Sequence, residues 1–283
     1  MTNPRRHNGG LIRDLEVLEV LASPEAFTQG GLGVQRIAEL AQRDKGQVSR
    51  VLATLASSGF VDRDPRSRRY LLGHRFYALS LRTREAHLAM LAEPHLLELV
   101  RQTQETAHLN VMRGGRILTI KTEVSESGTR RSGWDGMFSP VTLTASGRAL
   151  LATMTDQEIE AWWSEHEGIS PAADLNSSLP KPVEPITKGV VDVERHPISL
   201  EEFMGMVEQI REVGYAVSDG DFQEEVLDVA SVIRDAGNQP VAAFSVGVPK
   251  ERVGDQHQSV GQIVLLAALQ FSADLGAPIF GPA

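Results

Sequence analysis

The sequence predicts an α+β protein in two parts, and three observations lead to that expectation. Apolar residues recur at helical spacing through the first sixty residues and are followed at once by a short basic hairpin. Beyond about residue 95, helical stretches are mixed with strands joined by tight turns, a pattern that fits helices packed on an antiparallel sheet. At 283 residues, with 41% hydrophobic and 23% charged residues, the chain can bury two separate cores and is in the ordinary globular range.

The elements of the first part follow in order. In "LIRDLEVLEVLA" the spacing of Leu11, Leu15, Leu18 and Ala22 predicts a helix with those residues inward, ended by Ser23 and Pro24. "VQRIAELAQ", Val34 to Gln42, is a second helix. A third starts at the N-cap Asp44, buries Val48, Val51, Leu52 and Leu55 at i, i+3, i+4 and i+7, and stops at Gly59. On its opposite side lie Gly46, Ser49, Arg50 and Ala53, with Lys45 and Gln47 beside them in the first turn and no large hydrophobe among them. "FVDRD", "PRSR" and "RYLLG" then read as two short strands about a turn. Three helices and a hairpin make a winged helix-turn-helix, expected over residues 1–73.

Charge divides along the same line. Residues 1–80 carry twelve Lys or Arg against eight acids, a net of +4, although the chain as a whole carries -9, so the remainder carries -13. A basic head on an acidic body is what a local polyanion-binding surface needs. In a winged helix-turn-helix the second helix of the pair enters the major groove and the wing lies along the phosphates. Lys45, Gly46, Gln47, Ser49 and Arg50 are therefore the candidate groove residues, and Arg66, Arg68 and Arg69 the candidate phosphate clamps of double-stranded DNA. The same scaffold also serves protein-interaction modules, so a protein adaptor remains a competing reading.

From His74 a linker helix is expected over residues 74–92, with Tyr77, Leu81, Leu88 and Leu91 on one stripe and an end at or before Pro94. Such a helix either dimerises two heads or packs on its own body. Residues 93–283 form the second domain. There a helix "HLLELVRQTQET" leads to strands "AHLNVM" and "RILTIKTEV" joined through Arg113, Gly114 and Gly115. Helices are expected at Ser146 to Met154, Thr155 to Trp163, Leu200 to Val213 and Asp255 to Leu275, and strands at Tyr215 to Ser218, Val229 to Ile233 and "VAAFSV". The proline-rich stretch from Ser170 to Gly189 reads as a surface loop.

Three segments in order resemble the IclR family of bacterial transcriptional regulators: the winged-helix region from Leu32 to Gly73, "PVTLTASGRALLA" from Pro140 to Ala152, and the tail from Arg211 to Pro249. The resemblance implies a DNA-binding head, a linker helix and a GAF-like effector-binding domain, assembled as a homodimer or tetramer. It implies a repressor whose hold on operator DNA responds to a small organic effector, such as an aromatic or carboxylic acid or a derivative.

By position in that family, the effector pocket maps onto Ala145 and Ser146 at a helix start, and onto Ser218, Asp228, Ser245 and Gly247. Trp134, Met137 and Phe138 would supply an apolar wall. A helix N-terminus with free N–H groups is a ready site for a carboxylate. Four positions depart from the family pattern: Asp228 where small polar or Cys residues are common, Ser218 for an acid, Thr142 for His, and Gly247 for Ser. A buried Asp228 repels a bound carboxylate unless it is protonated or paired, so the effector is expected to offer a donor there, unless Asp228 faces solvent.

Enzymatic chemistry finds little support. The eight histidines form no metal-binding spacing, "TASGR" is not a nucleophile elbow, and no phosphate-cradling glycine loop follows a strand; Asp255 and His257 could pair, as a solvated helix start does. No cofactor and no catalytic or metal site are expected, although a small-molecule enzyme with a basic head is the other competitor. The absence of cysteine fits a reducing compartment, and the start has no apolar segment, so a cytoplasmic protein without a membrane anchor is expected.

Overall fold

The computed structural model describes residues 9–125, 134–166, 198–253 and 257–278. These form two compact units, one reaching Ala86 and the other starting at His87. The expected loop between Ser170 and Gly189, and Asp255, lie outside the described residues. Among the described residues, no helix is long and apolar enough to cross a membrane.

In the first unit α1 (Gly9–Leu21), α2 (Pro24–Thr28), α3 (Val34–Leu40) and α4 (Lys45–Ser57) precede the hairpin β1 (Val61–Arg63) and β2 (Tyr70–Leu72). The hairpin is antiparallel, with Val61 opposite Leu72 and Arg63 opposite Tyr70. Val17, Leu21, Ile37, Val48, Leu52 and Val61 meet in the core. The phase of α1 differs from the expected one: Val17 and Leu21 are buried, whereas Leu11 and Leu15 are exposed. Aliphatic residues occupy so many positions of this helix that several faces fit the 3.6 period, and packing against α3 and α4 selects among them.

The expected linker helix is two helices, α5 (His74–Ser80) and α6 (Arg84–Thr103). Pro94 lies inside α6 rather than ending it. A proline within a helix costs about 3 kcal/mol locally. Burial of Ala92, Leu96 and Leu99 on both sides of it outweighs that penalty, at roughly 1.5–3 kcal/mol for each large side chain. Tyr77, Leu81 and Leu91 of the anticipated stripe are exposed, and Leu88 packs against the second unit's core.

The second unit is a six-stranded antiparallel sheet. Its strands are β3 (Thr106–Arg113), β4 (Arg116–Glu123), β5 (Phe138–Pro140), β6 (Ala216–Asp219), β7 (Val226–Arg234) and β8 (Pro240–Pro249), in the order β5-β4-β3-β8-β7-β6. The helices are α7 (Ala145–Leu151), α8 (Asp156–His166), α9 (Leu200–Val213), the short α10 (Lys250–Val253) and α11 (His257–Asp274). One sheet face packs Leu109, Val229, Phe244 and Val246 against Leu96 and Leu99 of α6 and Val264 and Phe271 of α11. The other face carries α7, with Ile159 of α8 and Phe203 and Val207 of α9 behind it. α9 has reciprocal caps, Ser199 with Glu202, and ends on Gly214 at φ 81. Gly147 lets α7 lie against the preceding segment, since a Cβ there would come within 2.0 Å of the Val141 carbonyl oxygen.

Candidate DNA-binding surface and effector cavity

The candidate DNA surface is built on α4. Asp44 caps the helix by accepting from the Gln47 backbone N–H at 3.0 Å, while Val48 and Leu52 hold it to the core. That fixes the helix rotation, and Lys45, Gly46, Gln47, Ser49 and Arg50 are all exposed on its outer side. The wing is organised by Asp64. Its carboxylate accepts from the Arg66 N–H at 3.0 Å and the Ser67 hydroxyl at 2.8 Å, and the Arg68 N–H donates to its carbonyl at 2.9 Å. Hydrogen bonds from Ser67 hold the Asp64 pKa below its ordinary value.

Arg68 closes the turn at φ 58, and Arg66 and Arg68 are exposed at its tip. Arg69 differs from these two. Its guanidinium donates to the Gln29 and Gly31 carbonyls and ties the wing to the loop before α3. Unlike Arg66 and Arg68, Arg69 anchors the wing, a distinction that counting arginines could not make.

The candidate effector site is a cavity between the sheet and α7, of about 790 Å³ including its open mouth. One row of the sheet forms its floor: Thr106 of β3 pairs with Gly247 of β8, Gly247 with Asp228 of β7, and Asp228 with Ser218 of β6. His108 and Ser245, paired across β3 and β8, form the next row. Gly247 leaves the centre of the floor without a side chain. Trp134, Phe222 and His108 form an aromatic corner, with ring centroids 6.0 Å apart for Trp134–Phe222 and 6.1 Å for His108–Trp134.

A buried polar network runs through the cavity wall. Asn110 donates to Ser146 at 2.9 Å and to Ser245 at 3.1 Å, and its carbonyl accepts from Thr119 at 2.8 Å. Asp228 accepts hydrogen bonds from the Ala145 backbone N–H and the Ser245 hydroxyl. Burial raises the Asp228 pKa to about 7; those hydrogen bonds and Arg148 oppose the rise. Arg148, 2% exposed, donates Nε to the Thr142 carbonyl at 2.8 Å and Nη1 to the Val217 carbonyl at 2.9 Å, and pairs with Asp221 at 3.0 Å. Desolvation lowers its pKa, yet an arginine stays charged.

The cavity brings together Trp134, Ser146, Ser218, Asp228, Ser245 and Gly247 as expected from the sequence. Ala145 takes part through its N–H alone, and Asp228 already accepts from that first N–H of the helix. The alternative of a solvent-facing Asp228 does not hold. Met137 and Phe138 do not line the cavity; Met137 is committed to the turn through the bond from its N–H to the Trp134 carbonyl, and Phe138 stacks under Arg116. Asn110, Thr119 and Phe222 were not anticipated. The signal for Asn110 lay in β3, where Thr106, His108 and Asn110 alternate with the core residues Ala107, Leu109 and Val111.

Comparison with known proteins bears on both sites. The description "Bacterial transcriptional regulator IclR C-terminal" matches residues 81–174 and 192–273, and "IclR helix-turn-helix domain" matches residues 10–65. HTH-type transcriptional regulator KdgR of Escherichia coli (strain K12) is 25% identical over 250 residues, covering 87% of this chain and 86% of that one. The glycerol operon regulatory protein of Streptomyces coelicolor is 25% identical over 277 residues, covering 95% and 100%. An IclR homolog from Microbacterium hydrocarbonoxydans, crystallised with 4-hydroxybenzoate, superposes with a TM-score of 0.74 at 19% identity over 94% of this chain and 98% of that one. Such relatives are regulators rather than enzymes. With both halves matched in order, this chain belongs to the IclR family of bacterial transcriptional regulators, its helix-turn-helix DNA-binding domain followed by the family's C-terminal domain.

Proposed function

We propose that this regulator binds double-stranded operator DNA through α4 and the wing and is controlled by a small organic effector in the cavity beneath α7. Lys45, Gly46, Gln47, Ser49 and Arg50 would face the major groove, and Arg66 and Arg68 the phosphates. The division of labour keeps the order expected from the sequence, with residues 1–73 reading DNA, the helices from His74 linking and the unit from His87 sensing. Two copies, as a homodimer or within a tetramer, would read half-sites about one helical turn apart, roughly 34 Å. The setting is the cytoplasm and the outcome repression.

The observation that carries this reading is the presence on one chain of an exposed, polar, capped α4 face and a cavity lined by a connected polar network. Control requires the effector to favour one arrangement of the heads over another; equal affinity for both shifts nothing. The Microbacterium hydrocarbonoxydans homolog holds 4-hydroxybenzoate, which supports small-molecule sensing on this fold. Filling the cavity with Gly247→Val while following operator binding tests the reading. The variant is expected to bind operator like the parent and to lose any response to small molecules. A response that survives places the sensing site elsewhere.

A further inference from the structure

The direction of the hydrogen bonds around the cavity restricts what it can hold. A backbone carbonyl can only accept, so the proton of Ser218 goes to Leu143 at 2.7 Å and that of Thr144 to Pro140 at 2.8 Å. Thr119 gives its proton to the Asn110 carbonyl, Ser245 gives its own to Asp228, and both N–H groups of Asn110 go to serine oxygens. Toward the cavity, the hydroxyls of Thr119, Ser218 and Ser245 therefore present lone pairs, beside the remaining acceptor capacity of the Asp228 carboxylate. Thr106, Ser139 and Ser146 can turn either way.

Charge points in the same direction. Among the described residues, Glu105 and Asp228 line the cavity, and no Lys or Arg does. The nearby cations each pair with an acid: Arg148 with Asp221 at 3.0 Å, its Nη2 left without a partner among the described residues, Arg252 with Glu105 at 3.2 Å, and Lys250 with Asp219 at 2.7 Å. Among the described residues the His108 ring, whose Nδ1 lies 3.1 Å from the Thr122 hydroxyl, is the one lining group with a basic nitrogen. At the start of α7 the Ala145 N–H already donates to the protein's own Asp228.

We propose that the cavity takes a small, non-acidic ligand presenting hydroxyl or amine donors to Asp228 and Ser218, with its apolar part against Trp134 and Phe222, and that it disfavours carboxylates. This rests on the reading of the cavity as the effector site and names the ligand class for it. Each donor placed on an acceptor gains a hydrogen bond, stronger when the partner is charged. A carboxylate at the same point instead meets lone pairs and a second negative charge.

The test is a binding screen of the full-length protein at pH 8, where Asp228 is ionised. It uses matched sets that differ in one group: 4-hydroxybenzyl alcohol and 4-hydroxybenzylamine against 4-hydroxybenzoate, and glycerol and 2-aminoethanol against glycerate and glycolate. Titration calorimetry is run on the parent and on Gly247→Val, with retained operator affinity as the folding check. Alcohols or amines are expected to bind about tenfold or more tighter than their acids, corresponding to one such hydrogen bond, and Asp228→Asn is expected to shrink that preference. Carboxylates that win each set and lose binding in Gly247→Val overturn the ligand class but leave the cavity as the effector site. Ligands unaffected by Gly247→Val, or no binding by any member of the sets, overturn the proposal, and the former outcome overturns the effector-site reading as well.

Discussion

The Asp228 carboxylate accepts a hydrogen bond from the backbone N–H of Ala145, the first residue of α7. The first N–H of the helix is thus satisfied from within the sheet, by a carboxylate that is half-buried in the cavity wall and whose pKa desolvation raises to about 7.

That shift makes stability depend on pH in a definite direction. The folded pKa lies above the ordinary value of 3.8, so the folded state holds the extra proton between about pH 4 and pH 7. Stability therefore falls as pH rises through that window and levels off above it. Asp228→Asn, which mimics the protonated acid, should remove this part of the slope. The variant should gain on the parent by on the order of 3 kcal/mol between pH 5 and pH 8. Parallel denaturation midpoints for the two proteins across this range would mean that Asp228 is not buried as described.

Gly147 sets how closely α7 approaches Val141. A methyl group at Gly147 would clash with backbone, which cannot move as a side-chain tip can. Gly147→Ala should cost about 1–3 kcal/mol or more in denaturant unfolding and should weaken effector response through the displaced helix. A change below about 0.5 kcal/mol would show that the contact relaxes freely.

Arg68 and Arg69 are neighbours with different partners, and their alanine variants should separate. Removing Arg68 should lower the dependence of log K on log salt by about one unit per lost phosphate contact, with stability unchanged. Removing Arg69 releases the bonds to Gln29 and Gly31 and should lower the unfolding free energy by about 0.5–1.5 kcal/mol, with the smaller effect on the salt slope. Equal slope changes in the two variants, with no loss of stability in either, would contradict the assignment of Arg69.

Asp44 positions the whole recognition face. Asp44→Ala should destabilise the first unit by about 1 kcal/mol through loss of the cap on the Gln47 N–H and should weaken operator binding although Asp44 is itself an acid. Tighter DNA binding in Asp44→Ala would mean that its negative charge, rather than its capping role, dominates.

Much of the first unit could be read from the chain because its signals are local. The Asp44 cap, the Val48 and Leu52 spacing and the wing turn around Asp64 each lie within a few residues. The phase of α1 and the passage of α6 through Pro94 could not, since both are decided by distant packing partners. The cavity divides in the same way. Ser146, Ser218, Asp228, Ser245 and Gly247 came from resemblance and position; the alternation in β3 marks the face of Asn110 but not its partners Ser146 and Ser245, and Phe222 reaches the site through a loop conformation that no local pattern encodes. The commitment of Asp228 to the Ala145 N–H joins residues 83 positions apart and emerges only once β7 and α7 are packed.

The most direct measurement is a salt titration of binding to a duplex selected by the protein itself from random DNA, comparing the parent with Arg66→Ala/Arg68→Ala and with Ser49→Glu on α4. Affinity should fall steeply with salt for the parent, with a shallower slope for the double arginine variant, and should collapse for Ser49→Glu at every salt concentration. Unchanged affinity and slope in all three proteins would remove α4 and the wing from the DNA interface.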